Sequence, residues 1–303
     1  MTLDAFVAAE LARPAPPAAI EAAKIIAERL GGRAVLFYGS VLRTGDLDGV
    51  LDFYVLTHRP RHRGFGAFVG RWLWPDVSYH EIDIGDRTVR AKVATMPLDT
   101  FGAAAEGRFL DTTIWARFVQ PASLIWAGDT AAEAPVSNAV AAAAITAARF
   151  AAALGPKEGV ASDFWKALFQ KTYTTEFRVE RPGREDQIIA YDRARFDALL
   201  PLAWKAAGIS VDRDGETLRP VLPLDERRRL LSAWSKRVRA GKPLNLARLT
   251  KAAFTFDGAA RYALWKIERH TGLHVPLTPW RERHPILAAP GVLWRVWRTA
   301  GQR

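Results

Sequence analysis

Apolar positions recur at helical spacing through residues 18–30. Ile20, Ile25, Ile26 and Leu30 lie between Pro14, Pro16 and Pro17 on one side and Gly31-Gly32 on the other. Proline at the start and glycine at the end of such a stretch predict a helix with defined limits. The pattern then changes. Ala34-Val-Leu-Phe-Tyr38 is a short, uninterrupted apolar run ending in Gly39-Ser40, which predicts a buried strand entering a tight turn. Residues 50–56 form a second such run. Residues 77–84 alternate in part, and residues 88–95 follow after a turn at Gly85-Asp86, giving a third and a fourth strand. A fifth is expected at 122–126. From Asp129 onward the pattern is helical, over 132–154, 161–179, 192–207, 224–239 and 244–271, with one hairpin signal at 212–216. No internal repeat is present. The shift near Gly128 divides the chain into residues 1–128, with a small mixed sheet, and 129–303, mainly helical. The expected fold class is therefore α+β.

Composition narrows the function classes. Cysteine is absent and the net charge is +11, which excludes thiolate chemistry and favours polyanionic partners such as nucleotides, nucleic acid or an anionic leaflet. The longest apolar run, 132–154, is alanine-rich and interrupted by Glu133, Pro135, Ser137, Asn138 and Arg149, so a core helix is expected rather than a membrane span. Asp4 and Glu10 stand near the start with no basic cluster before them, unlike a presequence. A cytoplasmic location is expected.

The most informative stretch runs from Phe37 to Leu56. A strand ends in Gly39-Ser40, and about a dozen residues later Asp52 lies inside a second apolar strand, between Leu51 and Phe53-Tyr-Val-Leu56. A carboxylate so placed is costly unless something pairs with it. Polymerase-β-like nucleotidyltransferases use this layout. Glycine lets backbone amides approach a triphosphate, the Ser40 hydroxyl can donate to a phosphate oxygen, and strand carboxylates hold Mg²⁺ or Mn²⁺. The usual motif has two aspartates one residue apart, but here Val50 occupies the first position. Asp46 and Asp48 upstream, and Glu81 and Asp83 on the third strand, are the carboxylates that could replace it. In the same pattern Asp46 and Asp48 also suit an ordinary Gly-flanked turn.

Phe37-Tyr-Gly-Ser40 and Leu51-Asp-Phe-Tyr-Val55, followed in order by Val89-Arg-Ala-Lys-Val93, Ile114-Trp-Ala-Arg-Phe-Val-Gln-Pro121 and Tyr173-Thr-Thr-Glu-Phe-Arg178, resemble the mitochondrial translocator assembly and maintenance proteins and their bacterial relatives. The resemblance spans residues 35–178. It implies a polymerase-β-like nucleotidyltransferase domain followed by a helical domain, with CTP and a divalent metal between them. The implied reaction converts CTP and phosphatidic acid to CDP-diacylglycerol and pyrophosphate. The resemblance also implies that Glu81, rather than Asp83, is the third-strand ligand, and that loss of the first aspartate is tolerated. The metal set expected is then Asp52, Glu81 and Asp48.

Such an acceptor is already anionic, so cations rather than a general base are required. Lys92 shares a strand face with Arg90 and is the first expected catalytic cation. Arg43 beyond the Gly-Ser turn and Arg178 are expected to touch phosphate, with Tyr173 and Glu176 on the same helix as Arg178. The six histidines show no ligand spacing. Near the C-terminus, Trp294, Arg295, Trp297 and Arg298 mix aromatic and basic character, which suits docking on an anionic membrane surface. These features together predict a peripheral enzyme on the inner face of the membrane, acting on phosphatidic acid or a related lipid phosphate. Nucleic acid is not expected, because the aromatics cluster in the tail and not on a strand platform. A nucleotidyltransferase for RNA or a small molecule, and a non-catalytic relative, are the alternatives.

Overall fold

The computed structural model describes residues 1–59, 73–176, 183–284, 287–292 and 294. The chain is α+β, 59% helical and 20% strand.

Two helices open it, α1 (Leu3–Leu11) and α2 (Pro17–Leu30). Pro17 at the first position pre-sets the helical φ of α2, and Gly31 ends it at φ 64°. Then come β1 (Gly32–Tyr38), the short α3 (Ser40–Thr44), β2 (Val50–Thr57), β3 (Asp76–Ile84) and β4 (Arg87–Pro97). Two helices that the apolar pattern did not reveal follow, α4 (Leu98–Ala105) and α5 (Thr113–Phe118), before β5 (Ala122–Ala127). The sheet order is β3-β4-β2-β1-β5. Only β2 and β4 pair in parallel, and the other neighbours are antiparallel.

Each sheet face has its own apolar core. On one side, Ala19, Ala22, Ala23 and Ile26 of α2 cover Val35, Phe37, Phe53 and Val93. The other face carries Leu36, Tyr54, Leu56 and Met96, and it packs against the helices. Their centre is α6 (Glu133–Leu154), whose alanines are buried along most of its length and let neighbouring helices approach closely. By length and composition Thr130–Leu154 could cross a membrane, yet 72% of its apolar window is buried within the protein, as in a core helix. Around it lie α7 (Ala161–Thr175), α8 (Arg184–Tyr191) and α9 (Arg193–Ala206), then the hairpin β6 (Ser210–Asp214) and β7 (Thr217–Val221), and α10 (Leu224–Thr255). Buried indoles are anchored as well as packed: Trp165 Nε1 donates to the Phe196 carbonyl at 3.0 Å and Trp204 Nε1 to that of Ala148 at 2.8 Å. This core runs from Leu3 and Phe6 through Trp115 to Trp234, so it includes residues on both sides of 128.

Two helix limits differ from the sequence expectation. The helix expected over 161–179 ends at Thr175, and residues 177–182, including Arg178, lie outside the described residues. The break expected near residue 240 is absent, because α10 continues through Pro243. The chain turns instead at Gly258, φ 76°, before α11 (Ala259–Thr271). The turn is fixed on the sheet: the Tyr79 amide donates to the Asp257 carbonyl at 2.8 Å. A Cβ on Gly258 would press on the Tyr79 carbonyl at 2.6 Å, so glycine is required there by both conformation and space. A last short helix, α12 (Pro279–Arg283), follows.

Candidate functional site

Strand register places the sequence-derived residues. Tyr38 on β1 pairs with Asp52 on β2, Asp52 with Lys92 on β4, and Lys92 with Tyr79 on β3. Directly paired residues point to one sheet face, so these four form a row on the helix-covered side. The adjacent row contains Val50, Arg90 and Glu81. Glu81 therefore shares the face of Asp52 but lies two strands away and two residues along. Its carboxylate is engaged by Arg90 Nε at 3.6 Å and by the Tyr79 hydroxyl at 3.2 Å. Asp83 accepts from Thr88 at the exposed strand end. Asp48 is exposed in a turn where its amide donates to Asp46 Oδ1 at 3.0 Å, as an aspartate-initiated turn does. Among the described residues no three His, Cys, Asp or Glu side chains converge as a metal-holding group. Asp48, Asp52 and Glu81 are thus not gathered into one three-carboxylate set, because the row spacing keeps them apart.

Asp52 is the carboxylate at the centre. Burial raises its pKa, opposed by Lys92, Arg117 and Arg43. Gly39, at φ 92° and ψ −161°, lies against it, and a Cβ on Gly39 would collide with the Asp52 carboxylate. Glycine here does more than admit a phosphate; it makes room for the aspartate.

A cavity of about 180 Å³ opens beside this pair, lined among others by Gly39, Ser40, Arg43, Asp52, Arg117 and Arg184. Tyr173 also reaches it. A second cavity of about 300 Å³ includes Lys92, Glu176, Asn245, Arg248 and Lys251. Tyr38 and Arg117 line both. Arg117 is the residue that sequence reasoning missed. Its guanidinium lies 5.0 Å from the Tyr38 ring centroid, and its Nε has no hydrogen-bond partner. Burial works against its charge, but Tyr38, Tyr54, Glu176 and Asp52 outweigh that and hold its pKa above the ordinary value.

No protein-family model matches the chain, and no curated protein matches it.

Helix α5 carries Arg117 and is clamped at both ends. At its start Asp111 accepts from the Thr113 amide at 2.8 Å and is paired with Arg248 of α10. Glu176, buried, accepts from the hydroxyls of Thr112 and Thr113. This is a positioning contact: it ties the start of α5 to the end of α7. At the other end Arg195 donates to the Val119 carbonyl at 2.9 Å while its fork binds Glu10. Arg43 is crowded in turn: burial and the like charge of Arg184 lower its pKa. Its backbone carbonyl accepts from the Tyr191 hydroxyl of α8. Lys251 is held by Asp76 at 2.5 Å.

Helix α11 covers the β3 side of the row. Tyr262 packs on Tyr79 with centroids 5.4 Å apart, and its pKa is raised by burial and by Asp52. Trp265 lies between Arg90 and Arg269, and Arg269 donates to the Asp48 carbonyl at 2.6 Å. Of the expected docking residues, Trp294 is exposed, whereas Arg295, Trp297 and Arg298 lie outside the described residues.

Proposed function

We propose that this protein is a nucleotidyltransferase of the polymerase-β-like kind that transfers CMP from CTP to phosphatidic acid, or a closely related lipid phosphate, giving a CDP-lipid and pyrophosphate. The observation that carries the reading is the excess of cations around one strand carboxylate. Arg43, Arg117 and Arg184 line the small cavity with Asp52, and Lys92 and Arg117 line the larger one with Glu176, beside Arg248 and Lys251 in their pairs with Asp111 and Asp76. A transfer in which both reactants are anions needs this balance.

In the proposed reaction an oxygen of the lipid phosphate attacks the α-phosphorus of CTP, and the bond to the β-phosphate oxygen breaks to release pyrophosphate. The triphosphate lies in the small cavity over the Gly39-Ser40 turn, where Arg43 and Arg184 meet its outer phosphates and Ser40 donates a hydrogen bond. The lipid phosphate enters the larger cavity beside Lys92. Arg117, common to both, faces the charge that builds between attacking and leaving oxygens. No general base is assigned, because the nucleophile is already ionised. The donor set suits Mg²⁺ or Mn²⁺ held by Asp52, with triphosphate oxygens and water completing the shell, since Mg²⁺ commonly takes one or two carboxylates plus substrate phosphates. When bound, the metal neutralises triphosphate charge. Glu81 would act through Arg90 and Tyr79, and Asp48 through the turn ahead of β2. The same reading puts the protein at the cytoplasmic face of an anionic membrane, reached through the basic, tryptophan-bearing C-terminal segment.

The test is incubation of purified protein with Mg²⁺, each labelled nucleoside triphosphate in turn, and liposomes with or without phosphatidic acid. Lipid-extractable label from CTP that requires phosphatidic acid, and that is lost in Asp52→Ala, is expected. Labelled RNA, or no transfer with any nucleotide, would overturn the reading.

A further inference from the structure

A third cavity, of about 500 Å³, lies beyond the cationic ones, between the end of α10, α11 and residues 287–292. Its size falls within the roughly 300–1,000 Å³ typical of small-molecule sites. Its walls are almost wholly apolar, formed by residues such as Phe256, Leu264, Ile267 and Val292, and among the described residues Arg281 is the one charged residue in the lining. Leu249 and Ala252, one turn apart on α10, line this groove and the Lys92 cavity alike. One helix therefore presents a wall that is polar towards the sheet, through Arg248 and Lys251 in their pairs with Asp111 and Asp76, and apolar away from it. Leu249, one of the lining residues, is itself 61% exposed.

We propose that this groove holds an acyl chain of the acceptor lipid while its phosphate occupies the cationic cavity across the shared wall. The inference rests on the lipid-phosphate reading above and deepens it. An apolar groove next to an anion site, with no carboxylate in its lining, matches a molecule with a phosphate at one end and hydrocarbon at the other. It suits neither a water-soluble sugar phosphate nor an RNA end. Each methylene taken out of water contributes about fourfold in affinity, so chain length should be read directly in binding.

Ala263, exposed on the groove wall, provides the test. Ala263→Trp fills the space and Ala263→Ser leaves it open. Binding of a monomeric, fluorophore-labelled long-chain phosphatidate to the full chain is measured without nucleotide, followed by transfer from CTP to dioleoyl and to dibutanoyl phosphatidate. Ala263→Trp should weaken probe binding by about tenfold or more, lower transfer to the dioleoyl acceptor in parallel, and leave dibutanoyl transfer unchanged. Ala263→Ser should match wild type in every respect. If Ala263→Trp fails to fold, Ala289→Phe, filling the groove from its opposite wall, decides instead. Wild-type probe binding in the filled variant, or equal loss with both acceptors in a variant that melts normally, would overturn the acyl site. Groove-dependent probe binding in a wild type that transfers no nucleotide would overturn the transferase reading and leave the acyl site standing.

Discussion

Gly39→Ala tests the geometry on which the site depends. Gly39 lies at φ 92° and ψ −161°, a region essentially restricted to glycine, and a side chain there costs about 1–3 kcal/mol in backbone strain. The new methyl also meets Asp52. The carboxylate oxygen could rotate away, but Asp52 Cβ and Cγ stand 3.1 Å from the added carbon, and rotation about the Cα–Cβ bond does not move Cβ. Strand β2 must therefore give by a few tenths of an ångström, carrying Asp52 with it. The variant should lose about 1–3 kcal/mol by urea denaturation and roughly 10²-fold in turnover, the scale on which small misplacements of reacting groups act. Asp52→Gly removes Cβ and the carboxylate together, so Gly39→Ala should be less damaging to stability in that background, with a coupling of about 0.5–3 kcal/mol. The measurement is a double-mutant cycle by equilibrium unfolding. If the two effects add to within about 0.3–0.5 kcal/mol, the glycine and the carboxylate do not press on each other and the reasoning fails.

Burial raises the pKa of Asp52, so above the ordinary carboxylate range its ionisation costs stability; Asp52→Asn should be inactive yet more stable than wild type at pH 7, with the gain fading as pH falls to about 4, read from melting temperature against pH. Glu10→Ala leaves Arg195 buried without its carboxylate partner (the side chains are 8% and 3% exposed) and should cost about 3–5 kcal/mol, most of it recovered in Glu10→Leu/Arg195→Met; thermal unfolding would show the opposite if the pair were incidental. Arg117→Lys keeps one charge but loses the planar fork that lies over Tyr38, so kcat should fall by about 10²–10³-fold with little change in melting temperature, whereas equal loss of fold and activity would make Arg117 structural. Deleting residues 295–303 should weaken sedimentation with anionic liposomes, at about 1 kcal/mol per basic residue removed, and spare turnover of a short-chain acceptor; equal loss of both would count against docking.

The first two strands were legible because each is an apolar run beside glycine, and the third and fourth because they alternate in part on either side of the Gly85-Asp86 turn. Asp52 was legible because a carboxylate between Leu51 and Phe53 demands a partner. The same rule would have found Arg117, set between Ile114-Trp-Ala and Phe-Val119, had it been applied to arginine. The break expected near residue 240 failed for a physical reason. Pro243 is a local obstacle, but α10 is anchored just ahead of it by buried Leu230, Trp234, Arg237 and Gly241, where a Cβ would strike the Thr175 backbone, and tertiary contacts override propensity. Arg184, Arg248, Lys251 and Tyr262 carry no local signal. Each reaches the site because a distant helix folds back over the sheet, and nothing in its own neighbours records that.

The charges around the site fall into two groups, and the difference bears on mechanism. Those that hold elements in place are matched one to one: Arg195 with Glu10, Arg248 with Asp111, Lys251 with Asp76. Those lining the small cavity are crowded: among its described lining residues Arg43, Arg117 and Arg184 outnumber the one carboxylate, Asp52. Burial and the like charge of Arg184 oppose this arrangement, as the lowered pKa of Arg43 records. On the proposed reading, a bound polyanion would relieve that crowding. A site that activates a sugar hydroxyl needs carboxylates to take up a proton. One that joins two phosphates needs none for that purpose, and its difficulty is to bring like charges together. On the proposed reading, the row from Tyr38 through Asp52 to Lys92, with Arg117 lining both cavities, serves the second task.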